Sequence, residues 1–308
     1  MSDSERFRAA EQRLWGSSGR IPGERSVSLA HCGVTVRVQE VGDGAPLLFL
    51  HGAVNSGISW APLAARLDGF RCILLDRPGC GLSDPLPTPL EVDALRAVAR
   101  DLVADVLDAL DLPAADLVAT SLGGFFAFHG AAAHPERVRR IVAFGWSVGS
   151  SAADRVPWFM RLSSLPGAAA AMGAIPPTAR GARAMLRRVG LRRAIDSGRF
   201  SPEMLASYLA LLRDTPTMRN EVDASRDLPL HKALDDRLAL SDTVLRSVTA
   251  PVYLLWGEED PFGGPSTARA FADRLPSAQL ELVPAAGHAV WVDDLDRAAA
   301  FVTRVLGP

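Results

Sequence analysis

Val118-Ala119-Thr120-Ser121-Leu122-Gly123-Gly124 is the stretch on which the fold turns. Residues 116–120, with Leu117-Val118-Ala119 at their centre, predict a strand. Residues 122–133 predict a helix, stopped near His134-Pro135. The strand therefore runs straight into the helix, and Ser121 sits on the turn. A serine there stands clear of the backbone at the C-terminal edge of a sheet, provided its surroundings hold a strained conformation. The residues two before and two after it pack closely and must be small, a need met by Ala119 and Gly123. The start of a helix behind Ser121 also offers free N–H groups. Taken alone, the segment fits equally well a serine that merely caps a helix.

Its neighbours extend the pattern. Pro46-Leu47-Leu48-Phe49-Leu50 is a continuous apolar run ending in His51-Gly52, which suits a strand covered on both faces. Residues 26–29 and 34–41 are β-rich around His31-Cys32-Gly33 and predict a hairpin. Residues 4–15 predict a short amphipathic helix on the surface, and 58–67 another helix. Residues 71–75 predict a buried strand that ends at Asp76-Arg77-Pro78-Gly79. Residues 90–110 have helical spacing, and 138–144 form the next strand. Strand and helix in alternation imply right-handed crossovers and a parallel sheet. After Trp146 the alternation stops. Residues 147–245 contain no convincing strand and are broken by Pro157, Pro166, Pro176-Pro177 and Pro216. It resumes with strands at 251–256 and 279–283 and helices at 267–275 and 290–306. The expectation is an α/β core of residues 1–146 and 246–308, with a helical cap inserted at 147–245.

The Ser121 segment resembles the nucleophile elbow of the α/β-hydrolase family, G-x-S-x-G, with Ala119 in place of the first glycine. Three further segments are similar to family motifs. His51-Gly52-Ala53 stands after the third strand, where the family's first oxyanion N–H lies. Leu254-Leu255-Trp256-Gly257-Glu258-Glu259-Asp260-Pro261 is similar to the W-G-x-x-D-P pattern. Val283-Pro284-Ala285-Ala286-Gly287-His288 is similar to the G-H segment before the last helix. The loop Asp76-Arg77-Pro78-Gly79-Cys80-Gly81-Leu82-Ser83-Asp84 resembles the family's D-x-x-G-x-G-x-S-D loop and reads as structural, with Asp76 and Asp84 accepting backbone N–H bonds and Cys80 an inert small residue.

The resemblance implies an α/β-hydrolase fold, with a mostly parallel eight-stranded sheet, helices on both faces and an inserted helical cap. It implies Ser121 as nucleophile, His288 as base and Asp260 as acid, in the chain order this fold imposes. It also implies backbone N–H groups of Ala53 and Leu122 as an oxyanion hole. Val54, Trp146 and Trp158 are candidate pocket residues. The activity implied is hydrolysis of a carboxylic ester, thioester or lactone through an acyl-enzyme. The alternatives are C–C bond hydrolysis, as in the meta-cleavage-product hydrolases this chain also resembles, and a non-hydrolytic lyase, oxygenase or binding descendant. Serine rather than aspartate at position 121 argues against the dehalogenase and epoxide-hydrolase branches.

Composition narrows the rest. A 308-residue chain, 48% hydrophobic and 22% charged, is long enough for a sizeable core. A formal net charge of −2 gives no general attraction to nucleic acid. Three cysteines without paired spacing suggest neither a disulfide framework nor zinc, and no histidine pair has metal-ligand spacing. No nucleotide-binding motif is present, so no cofactor is expected. The polar first twenty residues carry no apolar core of a secretory signal, and no run of about 18 apolar residues predicts a membrane span. The expectation is a cytoplasmic enzyme with a small, apolar substrate. His129 and His134 read as helix-packing residues. Arg180, Arg183, Arg187, Arg188, Arg192, Arg193 and Arg199 read as a solvated helix face rather than an anion site.

Overall fold

The computed structural model describes residues 1–87, 91–150, 177–225 and 238–307. Trp158, a candidate pocket residue, lies outside the described residues, as does most of the first half of the expected cap. The strands are β1 (Gly23–Leu29), β2 (Val34–Val41), β3 (Ala45–Leu50), β4 (Phe70–Leu75), β5 (Ala115–Ser121), β6 (Val138–Ser147), β7 (Val252–Gly257) and β8 (Ala278–Val283). They form one eight-stranded sheet in the order β1-β2-β4-β3-β5-β6-β7-β8. β2 runs antiparallel to β1 and β4; every other pair is parallel.

Burial explains why the central strands are continuous apolar runs. Leu47, Leu48, Phe49 and Leu50 of β3 are all fully buried, because both faces of the sheet are covered. Helices Val92–Ala109, Leu122–Ala133 and Pro265–Ala272 supply Leu102, Val106, Phe125, Phe128 and Phe271 to one face. On the other, Phe7, Trp15, Trp60, Phe301 and Val302 meet Phe49, Phe144 and Leu255. The parallel register brings strand ends together at one edge: Leu50 pairs with Ala119, Thr120 with Phe144, and Gly257 with Val283.

Two expectations need correction, at residues 58–67 and in the last helix. The first helix, Asp3–Ser17, is the amphipathic surface element expected, with Glu5, Arg6, Gln12 and Arg13 exposed. Its stripe of Phe7, Ala10, Leu14 and Trp15 is buried, and it packs against helix Pro202–Asp214, with Arg6 ion-paired to Asp214 at 2.8 Å. Periodicity showed the stripe but not the element that covers it. Residues 58–67 form no regular helix: a 3₁₀ turn at Gly57–Trp60 leads into the single turn Ala61–Ala64. The last helix is two, Val290–Asp293 and Leu295–Leu306, because Asp294 leaves the helical region at φ −151° and its carboxylate caps the Arg297 N–H.

Between β6 and β7 the described helices are Ala179–Leu186, Arg192–Asp196, Pro202–Asp214, Thr217–Ser225 and Asp242–Ser247. Among the described residues no strand interrupts them.

Candidate active site

The turn at Ser121 has no spare residue: β5 ends on Ser121 and the helix begins at Leu122. Ser121 takes φ +54°, ψ −124°, a conformation costing a non-glycine residue about 1–3 kcal/mol. A helix-capping serine would be extended and would bond an N–H of the first turn. Ser121 does neither: its side chain makes no cap hydrogen bond. Gly123 is required by the end of β3, since a Cβ there would overlap the Leu50 carbonyl and stand 2.8 Å from the His51 oxygen. The expected reason, contact with Ala119, is thus replaced by contact with backbone. Gly52 lies alongside, where a Cβ would come 3.0 Å from the Ser121 Cβ.

His288 and Asp260 are brought together. His288 Nδ1 donates to Asp260 Oδ2 at 2.8 Å. The same oxygen accepts the Trp146 N–H at 2.9 Å, and Oδ1 accepts the Phe262 N–H at 3.0 Å. Those bonds let a buried carboxylate sit at the sheet edge with its acceptors filled. Glu258 and Glu259 are exposed. The Ser121 hydroxyl is not hydrogen-bonded to His288 or to any other described group.

Two glycines that no local signal marks hold this pair. Gly145, at φ +64°, leaves room that a Cβ would take 2.8 Å from Asp260 Oδ2 and 2.9 Å from the His288 carbonyl. Gly190, at φ +95° in the kink Arg187–Leu191, accepts the His288 N–H at 3.1 Å, and a Cβ there would stand 2.6 Å from the His288 Cβ. Asp293 ties the same loop from below. It accepts the Gly287 N–H at 2.7 Å, and burial pushes its carboxyl up from the ordinary value.

The arginine-rich segment divides. Arg187 pairs with Asp196 at 2.7 Å, while Arg193 and Arg199 donate to the Pro284 and Asp293 carbonyls, each at 2.9 Å. Arg193 and Arg199 thus tie the 192–199 segment to the residues on either side of His288, while the Arg187 pair stays within the arginine-rich segment.

At the other side of Ser121, Ala53 is exposed, and Val54 is half-buried with φ +49°. The N–H of Leu122 opens the helix and has no intrahelical acceptor. The His51 ring is occupied: Nε2 accepts the Arg77 N–H at 3.0 Å, leaving Nδ1–H to donate to the Gly52 carbonyl at 2.8 Å. Burial, then the Arg77 charge, holds the ring neutral by lowering its pKa well below the ordinary value. Arg77 donates to the carbonyls of His51 (3.0 Å) and Gly52 (2.9 Å) and to Glu221 (3.0 Å). Neither Arg77 nor Glu221 carried a sequence signal for this role.

Asp76 accepts the Gly57 N–H at 2.8 Å and the Leu82 N–H at 3.1 Å, and Asp84 accepts the Thr35 N–H at 3.2 Å. The glycine-rich loop is therefore a structural brace. Cys80 within it is buried, and burial raises its thiol well above the ordinary value. Trp146 stacks on Phe262 at 5.1 Å and lies 6.4 Å from the His288 ring. His129 packs edge-on against Phe125 at 4.5 Å, and burial lowers its pKa to about 4. His134 bonds Asp101 at 2.9 Å. Among the described residues no group of three or more His, Cys, Asp or Glu side chains could hold a metal ion, and no helix is long and apolar enough to cross a membrane.

Comparison with known proteins agrees with this architecture. A 2-hydroxymuconate semialdehyde hydrolase of Pseudomonas sp. (strain CF600) is 29% identical over 280 residues, spanning 89% of each chain. A pimeloyl-[acyl-carrier protein] methyl ester esterase of Xanthomonas campestris pv. campestris (strain B100) is 31% identical over 278 residues, or 87% of this chain and 98% of that one. The crystal structure of naproxen esterase from Bacillus subtilis superposes with a TM-score of 0.75 at 21% identity, covering 99% of both chains. Residues 45–295 match the model of the alpha/beta hydrolase fold family, and the chain belongs to that family.

Proposed function

We propose that this chain is a serine hydrolase that cleaves a carboxylic ester, thioester or lactone of a small apolar substrate through an acyl-enzyme on Ser121. The observation that carries the reading is the backbone at Ser121, strained at φ +54° with a hydroxyl that caps nothing. Such strain persists only where surrounding structure enforces it, and it lifts the hydroxyl off the backbone toward a substrate. With Nδ1–H committed to Asp260, the His288 Nε2 is the nitrogen left to take the Ser121 proton. The hydrogen bond between them would form when substrate excludes water, since such bonds are often long in free enzymes.

In the first half-reaction Ser121 Oγ attacks the carbonyl carbon and its proton passes to His288. The N–H groups of Ala53 and Leu122 hold the oxyanion. Collapse expels the alcohol or thiol, which takes the proton from His288. Water then attacks the acyl-enzyme by the same route in reverse, regenerating Ser121. Asp260 stabilises the imidazolium formed in each half.

Residues 147–245 would act as a cap that chooses the substrate, and Val54, Trp146 and Trp158 are its candidate contacts. A relative named as a methyl ester esterase supports the ester reading, and one named as a semialdehyde hydrolase supports C–C hydrolysis. Both use the same three residues.

The test is labelling of wild type and Ser121→Ala with a fluorophosphonate, read by intact mass, beside hydrolysis of p-nitrophenyl acetate and butyrate and of a vinylogous diketone. Single labelling and ester turnover, both lost in Ser121→Ala with its circular dichroism unchanged, support the reading. Turnover of the diketone alone selects C–C hydrolysis. Ester hydrolysis undiminished in Ser121→Ala overturns the mechanism.

A further inference from the structure

The peptide that carries the Ala53 N–H is gripped from its other end. Gly52 C=O and Ala53 N–H belong to one peptide unit, and in a trans peptide they point in opposite directions. Two donors hold that carbonyl: Arg77 Nη2 at 2.9 Å and His51 Nδ1 at 2.8 Å. Fixing the carbonyl toward Arg77 and His51 fixes the Ala53 N–H to point the opposite way. The next peptide is also held. Its Val54 N–H donates to Glu221 Oε2 at 3.3 Å, and Val54 sits in the left-handed region at φ +49°, which a β-branched residue adopts only under constraint. Glu221 Oε1 in turn accepts Arg77 Nη2 at 3.0 Å.

Glu221 belongs to helix Thr217–Ser225, more than 140 positions along the chain from the loop it holds. That helix is docked on the 76–84 loop, which carries Arg77, by Thr217 Oγ1, which accepts the Gly81 N–H at 2.9 Å, and by Asn220 Nδ2, which donates to the Gly79 carbonyl at 3.0 Å. Arg77 and Thr217 are buried. An unpaired guanidinium at such a depth would be costly, so Arg77 needs Glu221 to stay where it is.

We propose that Arg77 and Glu221 are positioning residues that aim the Ala53 N–H, so that the oxyanion donor is set only when helix Thr217–Ser225 is docked on the core. The inference rests on the assignment of Ala53 to the oxyanion hole. It assigns to Glu221 no contact with substrate. Glu221→Gln keeps the shape and an acceptor for the Val54 N–H but loses the charge facing Arg77. Glu221→Ala loses both.

The experiment compares wild type, Glu221→Gln and Glu221→Ala by steady-state hydrolysis of p-nitrophenyl butyrate and by hydrogen exchange of the peptide spanning residues 50–57. Loss of an oxyanion donor costs about 10²–10³ in kcat, and a misaimed donor costs part of that. In Glu221→Ala, kcat should fall about 10- to 100-fold with KM within threefold, and Val54 should exchange at least tenfold faster; Glu221→Gln should recover part of both. A merely structural role would lower the melting temperature and leave the kcat of the folded fraction unchanged, which overturns the proposal. Unchanged exchange at 50–57 overturns it as well. Should wild type hydrolyse no ester, the hydrolase reading falls on its own. Faster exchange in Glu221→Ala would still uphold the grip on the loop, and unchanged exchange would dismiss it.

Discussion

Replacing Asp260 by Asn tests the His288–Asp260 pair with almost no change of shape. Asp260 accepts three hydrogen bonds: His288 Nδ1–H and Trp146 N–H on Oδ2, and Phe262 N–H on Oδ1. An asparagine has one acceptor oxygen and one NH₂, so one side must lose. If the NH₂ faces Phe262, one donor meets a donor; if it faces Trp146 and His288, two do. Each such mismatch in a buried site costs about 1–3 kcal/mol, so the oxygen should stay beside His288. The tautomer then survives, and what disappears is the negative charge opposite the imidazolium. At a charge separation of roughly 4 Å and an effective dielectric near 20, that is about 4 kcal/mol, or about a thousandfold in rate. The opposite orientation forces the wrong tautomer and raises the loss toward 10⁴-fold. The expected result is therefore a kcat about 10³–10⁴ lower on p-nitrophenyl butyrate, with KM little changed and the circular dichroism intact. A folded Asp260→Asn protein within tenfold of wild type would refute the account of Asp260.

Other consequences can be checked with the same preparations. Gly145→Ala, at φ +64° with its Cβ 2.8 Å from Asp260 Oδ2, should lower the melting temperature by an amount equivalent to about 1–3 kcal/mol and reduce kcat together with it. Gly190→Ala should lower both the melting temperature and kcat, because alanine is strained at φ +95° and its Cβ would press 2.6 Å from the His288 Cβ; equal kcat in a folded variant would show that the kink does not hold His288 in place. Glu11 lies buried beside Arg37 at 2.6 Å, in a cluster that also holds Glu24 and Asp76, and burial pushes its carboxyl up to about 7. Folded Glu11 thus holds its proton more tightly than the unfolded chain does. The stability it contributes is complete below about 4.5 and is lost as pH rises through about 7. Melting curves from pH 5 to 8 should show Glu11→Gln gaining on wild type as pH rises; a constant gap would mean that Glu11 is ionised throughout.

The strands and their ends were legible locally. The strand–helix junction at 118–124, the apolar run before His51-Gly52 and the segment ending at Asp260 each carry their signal within about ten residues, because side-chain period and turn residues report local backbone. Helix Leu122–Ala133 lies where its sequence placed it. The partner of the first helix was not legible, since an apolar stripe does not say which surface will cover it. Nor was the break at Asp294, where a capping carboxylate competes with continued helix.

What sequence alone determined was the eight strands, the parallel sense of most of them and the residues standing at the strand ends, which follow from residue pattern and connection length. Tertiary structure decided the rest. It crossed the chain so that β3 lies between β4 and β5, which sets the backbone of β3 against Gly123. It placed Gly145 and Gly190 against the Asp260–His288 pair, and it joined Arg77 to Glu221 across the chain. Such contacts depend on the close approach of atoms far apart in the chain, and neither periodicity nor spacing records that approach.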